Sequence, residues 1–331
     1  AAYISEGIAI AEGRLDTQAA LNAKMHPSPL PDEAVGRPLV YVWGYPLVLA
    51  LVYRLVGLSI IEVNDLSFCS RTVCEGRSVC RISFEVDKGE IFAITGTRES
   101  GKNTVSRHLN GVLLPESGKV TVCGMDTSDS KNQESIRKKC GMVFSAHHRC
   151  FLASTVKAEI ALALLCAGTD AKDIPEKCSA YLERTGMTDK EDARTETLTE
   201  YESLCVQISA VLASEPEVLI FEDAASGIYG KERESYFELL HKLHDGGKTI
   251  VIITNSFDEA AAAQRVLLLK EGSVLACGEA RSILSDAELL EKAGIEPAFP
   301  MRVYHDLLDS DIKLGVSSGT LASVGDGPDF A

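Results

Sequence analysis

Residues 91–114 read IFAITGTRESGKNTVSRHLNGVLL, and this stretch decides the fold. The continuous apolar run at 91–95 is typical of a strand that is buried on both faces. A loop flanked by glycines follows, and residues 105–114 then read as a helix. Strand, loop and helix in this order, with the spacing Gly-x4-Gly-Lys from Gly96 to Lys102, aim backbone N–H groups and a lysine at one point. That arrangement predicts a site for phosphate groups.

We call residues 96–104 the phosphate loop. Its candidate nucleotide-binding residues are the two glycines, the lysine and the polar side chains beside them: Gly96, Ser100, Gly101, Lys102, Asn103 and Thr104. A glycine loop that only turns a strand into a helix is the alternative. The position after the lysine, which is Ser or Thr in magnesium-binding loops of this kind, is Asn103, whose amide oxygen is a poorer ligand.

Two more apolar runs end in polar residues that belong at the same place. EPEVLIFED (215–223) ends in Glu222 and Asp223, and in KTIVIITNS (248–256) the apolar run ends in Asn255. Because ligands collect at the carboxyl ends of strands in open α/β sheets, Glu222 and Asp223 are the candidate catalytic residues. Asn103 and Glu222 are the candidate ligands of Mg²⁺. The alternative is that the two acids cap the next helix.

Composition excludes several classes of protein. The chain has 331 residues, of which 45% are hydrophobic and 24% charged, as in ordinary globular proteins. Its 48 acidic and 33 basic residues give a net charge of −15, which repels nucleic acid, so we expect no nucleic-acid partner. The ten cysteines include no Cys-x2-Cys pair, so neither a zinc ribbon nor a disulfide scaffold is indicated, and a reducing cytoplasm fits best.

Helical patterns occupy much of the remaining chain. We expect helices at 154–166, 174–187 and about 202–213, and we interpret the acidic stretch 188–200 as a solvated linker. His241 and His244 lie three residues apart on another predicted helix, where without a third ligand they indicate ordinary helix residues rather than a metal site.

In this order the elements from 60 to 314 resemble those of ATP-binding cassette (ABC) ATPases, and among them the ATPase subunits of energy-coupling factor (ECF) transporters. The phrases that carry the resemblance are HLNGVLLPESGKVTVCGMDTSD (108–129), IRKKCGMVF (136–144) and GEARSILSDAELLEKAGIEPAFP (278–300). The resemblance implies an α/β P-loop NTPase fold of the ABC type. Such a domain has a mixed sheet core, an antiparallel β subdomain and a helical subdomain, here with a small C-terminal helical extension.

The same resemblance implies the partners and the location. The cofactors would be ATP and Mg²⁺. The partners would be a homologous ATPase subunit, in a homo- or heterodimer, and transmembrane transporter subunits, with the chain held peripherally at the cytoplasmic face of the cell membrane. The transported substrate would be recognised by a separate membrane protein.

Most catalytic positions of the family are altered. The altered positions are Ser70 for the adenine-stacking aromatic, Ser145 for the Q-loop glutamine, LTEYE (198–202) for LSGGQ, Ala224-Ala225 for Pro-Thr, Tyr229 for the D-loop aspartate and Asn255 for the switch histidine. Glu222-Asp223 also reverses the usual Asp-Glu order. We therefore expect a degenerate subunit, a pseudo-ATPase that binds nucleotide weakly and hydrolyses it slowly or not at all. An active ATPase driving vitamin or metal-ion uptake remains an alternative.

The division of the chain completes these expectations. We expect an N-terminal extension, the nucleotide-binding domain, the helical extension and a disordered tail, at 1–58, 59–285, 286–315 and 316–331. The extension contains the apolar segment 38–53, which is shorter than the roughly 20 residues of a spanning helix. An interfacial or docking segment, a span that continues to Leu58 and a segment packed on its own domain are all open, so a membrane-tethered scaffold is the third function considered.

Overall fold

The computed structural model describes residues 59–69, 79–145 and 151–295. The apolar segment 38–53, the adenine-stacking position Ser70 and the predicted tail 316–331 lie outside the described residues. The expectations for them therefore stay predictions.

Strands are numbered in chain order over these ranges. They are β1 Ser59–Phe68, β2 Val79–Asp87, β3 Ile91–Gly96, β4 Ser117–Val122, β5 Met125–Asp126, β6 Cys140–Phe144, β7 Val218–Glu222, β8 Thr249–Thr254, β9 Arg265–Lys270 and β10 Ser273–Glu279. The α-helices are α1 Lys102–Leu109, α2 Gln133–Lys139, α3 Val156–Cys166, α4 Ile174–Arg184, α5 Glu200–Leu212, α6 Lys231–Asp245, α7 Phe257–Ala261, α8 Ala280–Leu284 and α9 Ala287–Ala293.

The strands form two sheets. One has six strands in the order β10-β9-β3-β8-β7-β6, all parallel except β10, which pairs antiparallel with β9. The other has four antiparallel strands in the order β2-β1-β4-β5. β3, β7 and β8 are buried along their whole length, which explains their continuous apolar runs. The predicted mixed sheet with an antiparallel β subdomain is confirmed.

Alternate side chains of the central sheet enter two different hydrophobic cores. On β3, Ile91 and Ala93 belong to the core shared with the helices α3 to α6, whereas Phe92 and Ile94 face the antiparallel sheet. Because successive strand residues point to opposite faces, each core takes every second residue. The carboxyl ends of β3, β7 and β8 are thereby fixed along one edge, where the phosphate loop begins.

The helices α3, α4 and α5 form the expected helical subdomain. α4 ends at Arg184, three residues earlier than predicted, and Gly186 follows in a left-handed conformation with φ 71°. α5 starts at Glu200 because Thr199 caps it, so the helix is longer at its start than the pattern indicated.

More than half of the residues in 188–200 are exposed, as a solvated linker requires, but hydrogen bonds tie the stretch to the domain. Val156 N donates to Ala193 O and Lys157 N to Glu191 O, so the stretch is hydrogen-bonded to the first turn of α3. Thr195 is buried and its hydroxyl donates to Ala153 O. Backbone pairing of this kind does not depend on side-chain polarity, so an acidic composition concealed it.

The short helix α9 lies against the main domain. Asp286 caps it by accepting a hydrogen bond from Leu289 N. Leu290 is buried in the core that the helices α3 to α6 form with the central sheet. The boundary at 285/286 stays a prediction. None of the helices within 59–69, 79–145 and 151–295 is long and apolar enough to cross a membrane.

Candidate functional site

The phosphate loop leaves β3 and enters α1 without room for a side chain at its first glycine. A Cβ on Gly96 would lie 2.3 Å from Leu269 O and 2.6 Å from Ser100 Oγ. Gly101, with φ 90°, precedes α1 and offers no side chain to cap it. The helix therefore begins with backbone N–H groups that an anion can bind. In the described structure the buried Ser100 Oγ has no hydrogen-bond partner.

Lys102 is the first residue of α1 and its side chain is almost completely enclosed. Only 2% of Lys102 is exposed, and its Nζ donates to Thr97 O at 3.2 Å. Burial lowers the pKa of Lys102, and the neighbouring Asp223 and Glu222 oppose that shift. An ammonium group carries three donors, so this hydrogen bond leaves capacity for an anionic ligand. The loop thus fits a phosphate group.

Glu222 and Asp223 lie at the end of β7 rather than at the start of a helix. Glu222 is 6% exposed, and Asp223 takes a left-handed conformation with φ 48° while its N–H donates to Ile253 O of β8. The next helix, α6, has Gly230 at its N-cap. The alternative that these acids cap that helix is therefore wrong.

Side chains from α1 contact both acids. Asn103 Nδ2 lies 3.2 Å from Glu222 Oε1 and 3.5 Å from Asp223 Oδ2. Ser106 Oγ donates to Glu222 Oε2 at 2.5 Å. We call Asn103, Ser106, Glu222 and Asp223 the carboxylate cluster. The structure thus brings three of the predicted site residues together beside Lys102.

Ser106 and Arg107 were missed by sequence reasoning. Arg107 Nη2 lies 4.0 Å from Glu222 Oε1. The available signal was spacing, since Ser106 and Arg107 are three and four residues after Asn103 and therefore share its helix face. Nothing in the motif itself requires those two residue types.

As arranged, the carboxylate cluster does not fit a divalent cation. Mg²⁺ needs oxygen ligands at about 2.0–2.1 Å in octahedral geometry. Both oxygens of Glu222 already accept hydrogen bonds, and Asn103 directs its Nδ2 rather than its oxygen to the acids. The predicted Mg²⁺ ligands Asn103 and Glu222 are neighbours but bind each other.

The end of β8 is held by a buried acid that sequence reasoning also missed. Glu259, 3% exposed, accepts hydrogen bonds from Tyr236 OH at 3.0 Å and from Thr254 Oγ1 at 2.5 Å. Thr254 Oγ1 in turn accepts from Ser256 N at 2.9 Å. These bonds fix the turn that carries the exposed switch position Asn255. Burial raises the pKa of Glu259.

The start of α5, where LSGGQ is expected, is closed by the chain's own side chains. Thr199 Oγ1 accepts from Glu202 N at 3.2 Å, and Glu202 Oε2 accepts from Thr199 N at 3.0 Å. This capping box uses a donor that a phosphate would need. Thr199 Oγ1 also donates to Glu232, and Glu202 pairs with Lys190 at 3.0 Å.

The other altered positions differ in burial and in their contacts. Ser145 lies beside Glu222, because its N–H donates to Glu222 O at 3.1 Å. Ala224 and Ala225 are buried, and Tyr229 is 78% exposed. Their assignments to family positions stay predictions.

The sequence is similar to proteins of known type. Residues 79–226 match the ABC transporter family. The chain is 33% identical over 233 residues to the energy-coupling factor transporter ATP-binding protein EcfA1 of Halalkalibacterium halodurans, covering 70% of this chain and 84% of that protein. It is 34% identical over 208 residues to EcfA of Methanosarcina acetivorans, covering 63% of this chain and 76% of that protein.

Solved structures share the fold. The structure of cbiO1 from Clostridium perfringens, described as part of the ABC transporter complex cbiONQ, superposes with a TM-score of 0.65 at 24% identity and covers 76% of this chain and 99% of that one. The ATP-binding cassette MJ0796, bound to ADP and Pi, gives a TM-score of 0.60 at 21% identity and covers 67% of this chain and 99% of that one.

Proposed function

The chain belongs to the ABC transporter family and, within it, to the energy-coupling factor transporter ATP-binding proteins, and from this we propose that it is a nucleotide-binding subunit of such a transporter that has lost efficient hydrolysis. It binds the phosphates of ATP at the phosphate loop. Its contribution to transport is structural or regulatory, beside a second ATPase subunit and a membrane component.

The observation that supports nucleotide binding is the buried ammonium group of Lys102, which has three donors and donates to Thr97 O. It lies at the uncapped start of α1, and Gly96 lets the loop fold back closely on β9. A phosphate placed there would receive hydrogen bonds from backbone N–H groups and from Lys102 Nζ. The loop orients the phosphates and excludes water from one side.

The carboxylate cluster supports the loss of hydrolysis. A general base must accept a proton from the attacking water, and such a base contributes about 10²- to 10⁴-fold to the rate. Glu222 already accepts a hydrogen bond at each oxygen, from Asn103 and Ser106, which weakens it as an acceptor for that proton. Asn103 Nδ2 also lies 3.5 Å from Asp223 Oδ2, the other candidate base. Asn255 cannot supply the ring of the family's switch histidine.

The start of α5 supports the same conclusion for a paired subunit. In the family this segment grips the γ-phosphate bound by the other subunit. Here Glu200 and Glu202 stand in its first turn, and Thr199 and Glu202 cap each other. Negative side chains at a helix start repel phosphate and offset the favourable helix dipole. A site completed by this segment would be weak whichever subunit faced it.

A groove beside β6 is the proposed contact for the membrane component. It has a volume of about 1030 Å³ and is bordered by α2, β6, α3 and α5. Phe144 and Val112 line it and are exposed. Exposed apolar side chains in a groove are typical of a surface that receives a partner. This contact would hold the chain peripherally at the cytoplasmic face of the membrane.

Binding and hydrolysis are tested together on the purified chain. We expect saturable binding of a fluorescent ATP analogue, lost in Lys102→Ala and kept in Lys172→Ala, a matched change of an exposed lysine on the helical subdomain. Phosphate release from ATP should not exceed that of Lys102→Ala. Unfolding temperatures check that both variants fold.

The contrary outcomes separate the alternatives. Rapid phosphate release that depends on Lys102 would establish an active ATPase and reject the pseudo-ATPase. Absence of binding at millimolar nucleotide would reject nucleotide binding and leave a scaffold, for which residues 38–58 would be the next segment to test.

A further inference from the structure

We propose that the phosphate loop takes its nucleotide as the free anion, without a divalent cation, because the amide of Asn103 and the hydroxyl of Ser106 already hydrogen-bond both oxygens of Glu222, and the same amide faces Asp223. The inference rests on the proposed nucleotide binding and names the form of the ligand. It concerns binding only and needs no hydrolysis.

Asn103 turns the nitrogen of its amide, rather than the oxygen, to Glu222 and Asp223. Ionised carboxylates only accept hydrogen bonds, whereas an amide carries a donor nitrogen and an acceptor oxygen. Nδ2 is the atom placed 3.2 Å from Glu222 and 3.5 Å from Asp223. An oxygen in that position would be repelled. A metal would need the opposite orientation of the amide, with both hydrogen bonds broken.

The other oxygen of Glu222 also has a hydrogen-bond donor. Ser106 Oγ donates to it at 2.5 Å inside a buried pocket, and Arg107 Nη2 approaches the first oxygen to 4.0 Å. Removing a buried hydrogen-bond donor from a charged group is costly, because the group loses a partner and gains no water in exchange. A cation that recruits Glu222 must repay this cost as well as its own dehydration, which Mg²⁺ undergoes reluctantly.

Positive side chains lie near the two acids. Burial lowers the pKa of Lys102, and Asp223 and Glu222 lie close enough to oppose that shift, while Arg107 Nη2 lies 4.0 Å from Glu222 Oε1. These two cations offset part of the negative charge of the acids. Arg98, within the phosphate loop, acts on Lys102 as a like charge and thus adds a second positive group near the phosphates. Lys102, Arg98 and the helix start together replace part of the charge that Mg²⁺ would bring.

The test compares binding of a fluorescent ATP analogue in excess Mg²⁺ and in excess EDTA. We expect the wild-type dissociation constants under the two conditions to agree within about threefold, a difference of less than about 1 kcal/mol. Asn103→Ser frees the acids and places a hydroxyl after Lys102, so it should bind more than about tenfold more tightly with Mg²⁺ than with EDTA.

A matched control and a second variant test whether the effect is specific to residue 103. Asn132→Ser makes the same change at a distant residue, where Asn132 Nδ2 donates to Asp126 O, and should behave as wild type. Asn103→Thr provides a second variant with a hydroxyl if Asn103→Ser is poorly folded. Unfolding temperatures are recorded for each protein.

The outcomes distinguish this inference from the proposed function. Wild-type binding that disappears in EDTA would overturn the inference and leave nucleotide binding intact. No binding under either condition would reject both. Metal-independent binding in wild type and in both hydroxyl variants would overturn the role given to Asn103.

Discussion

The hydroxyl of Ser106 lies 2.5 Å from Oε2 of Glu222, and it joins α1 to the end of β7 inside the protein. Ser106 Oγ is also 2.9 Å from Asn103 O, but a hydroxyl has one proton. The shorter contact to a charged acceptor takes that proton, because charge-assisted hydrogen bonds are the stronger ones. The helix that carries Lys102 is thus anchored to the strand that carries the acids.

Replacing Ser106 by Ala should destabilise the protein. The change leaves a buried carboxylate oxygen without its donor, which we expect to cost about 1–3 kcal/mol. Ser179→Ala, at an exposed serine whose hydroxyl donates to Pro175 O, should change stability by less than about 0.5 kcal/mol. Urea denaturation of the two variants measures both values. An equal decrease in the free energy of unfolding of the two variants would show that the Ser106–Glu222 hydrogen bond does not stabilise the protein.

Glu259 should make the protein less stable as the pH rises. Burial raises the pKa of this carboxyl in the folded state, so the folded protein holds the proton where the unfolded chain has lost it. That stabilisation is complete below the unfolded pKa and is lost as the pH rises through the folded pKa. Tyr236, Thr254, Arg233 and Asp223 face or act on the group and set where this occurs.

Glu259→Gln isolates the effect. Glutamine can still accept from Tyr236 but cannot ionise, so wild type should lose stability relative to Glu259→Gln with increasing pH. Unfolding curves of both proteins across mildly acidic to mildly alkaline pH give the difference directly. A difference that is flat, or that runs in favour of wild type at high pH, would contradict the raised pKa.

Adding one methyl group at Gly96 should be costly. The new Cβ would lie 2.3 Å from Leu269 O, a backbone atom that cannot move without disturbing β9. We expect Gly96→Ala to lose about 3 kcal/mol, at the upper end of ordinary overpacking. Gly278→Ala is the control, since its Cβ would meet Ile283 Cδ1 at an ordinary 3.7 Å. Thermal unfolding of both variants decides whether the loop tolerates a side chain.

Thiol labelling should separate the cysteines by burial. Cys166 is exposed, whereas Cys140 and Cys205 are buried, and burial raises the pKa of Cys205 to about 12. Because the thiolate is the reactive form, iodoacetamide at mildly alkaline pH should modify Cys166 in the native protein. Cys140 and Cys205 should react only after denaturation. Mass spectrometry of the peptides provides the readout, and rapid native modification of Cys205 would contradict the packing of α5.

The central strands could be predicted because burial on both faces leaves a continuous apolar run. Residues 91–95, 215–223 and 248–256 were recognised in this way, and β3, β7 and β8 are there. The hydrogen bonding of 188–200 to the start of α3 could not be predicted, since it uses backbone atoms and leaves the side chains free to be acidic.

Some residues of the candidate site could likewise be predicted from the sequence and others could not. The phosphate loop was visible because its geometry needs glycine and lysine at fixed spacing. Ser106 and Glu259 were not visible, because a serine or glutamate within a helix is ordinary until another element is folded against it. Contacts between distant segments make both residues part of the site, and no local pattern encodes them.

The sheet order has a consequence for how the protein is made. β3 pairs on one side with β8 and on the other with β9, partners that follow it by more than 150 residues. A ribosome must therefore deliver the chain to Lys270 before the strand that feeds the phosphate loop has both neighbours. Until then two apolar edges stay open to pairing with other chains. Fragments that stop before Thr249 should therefore aggregate rather than fold.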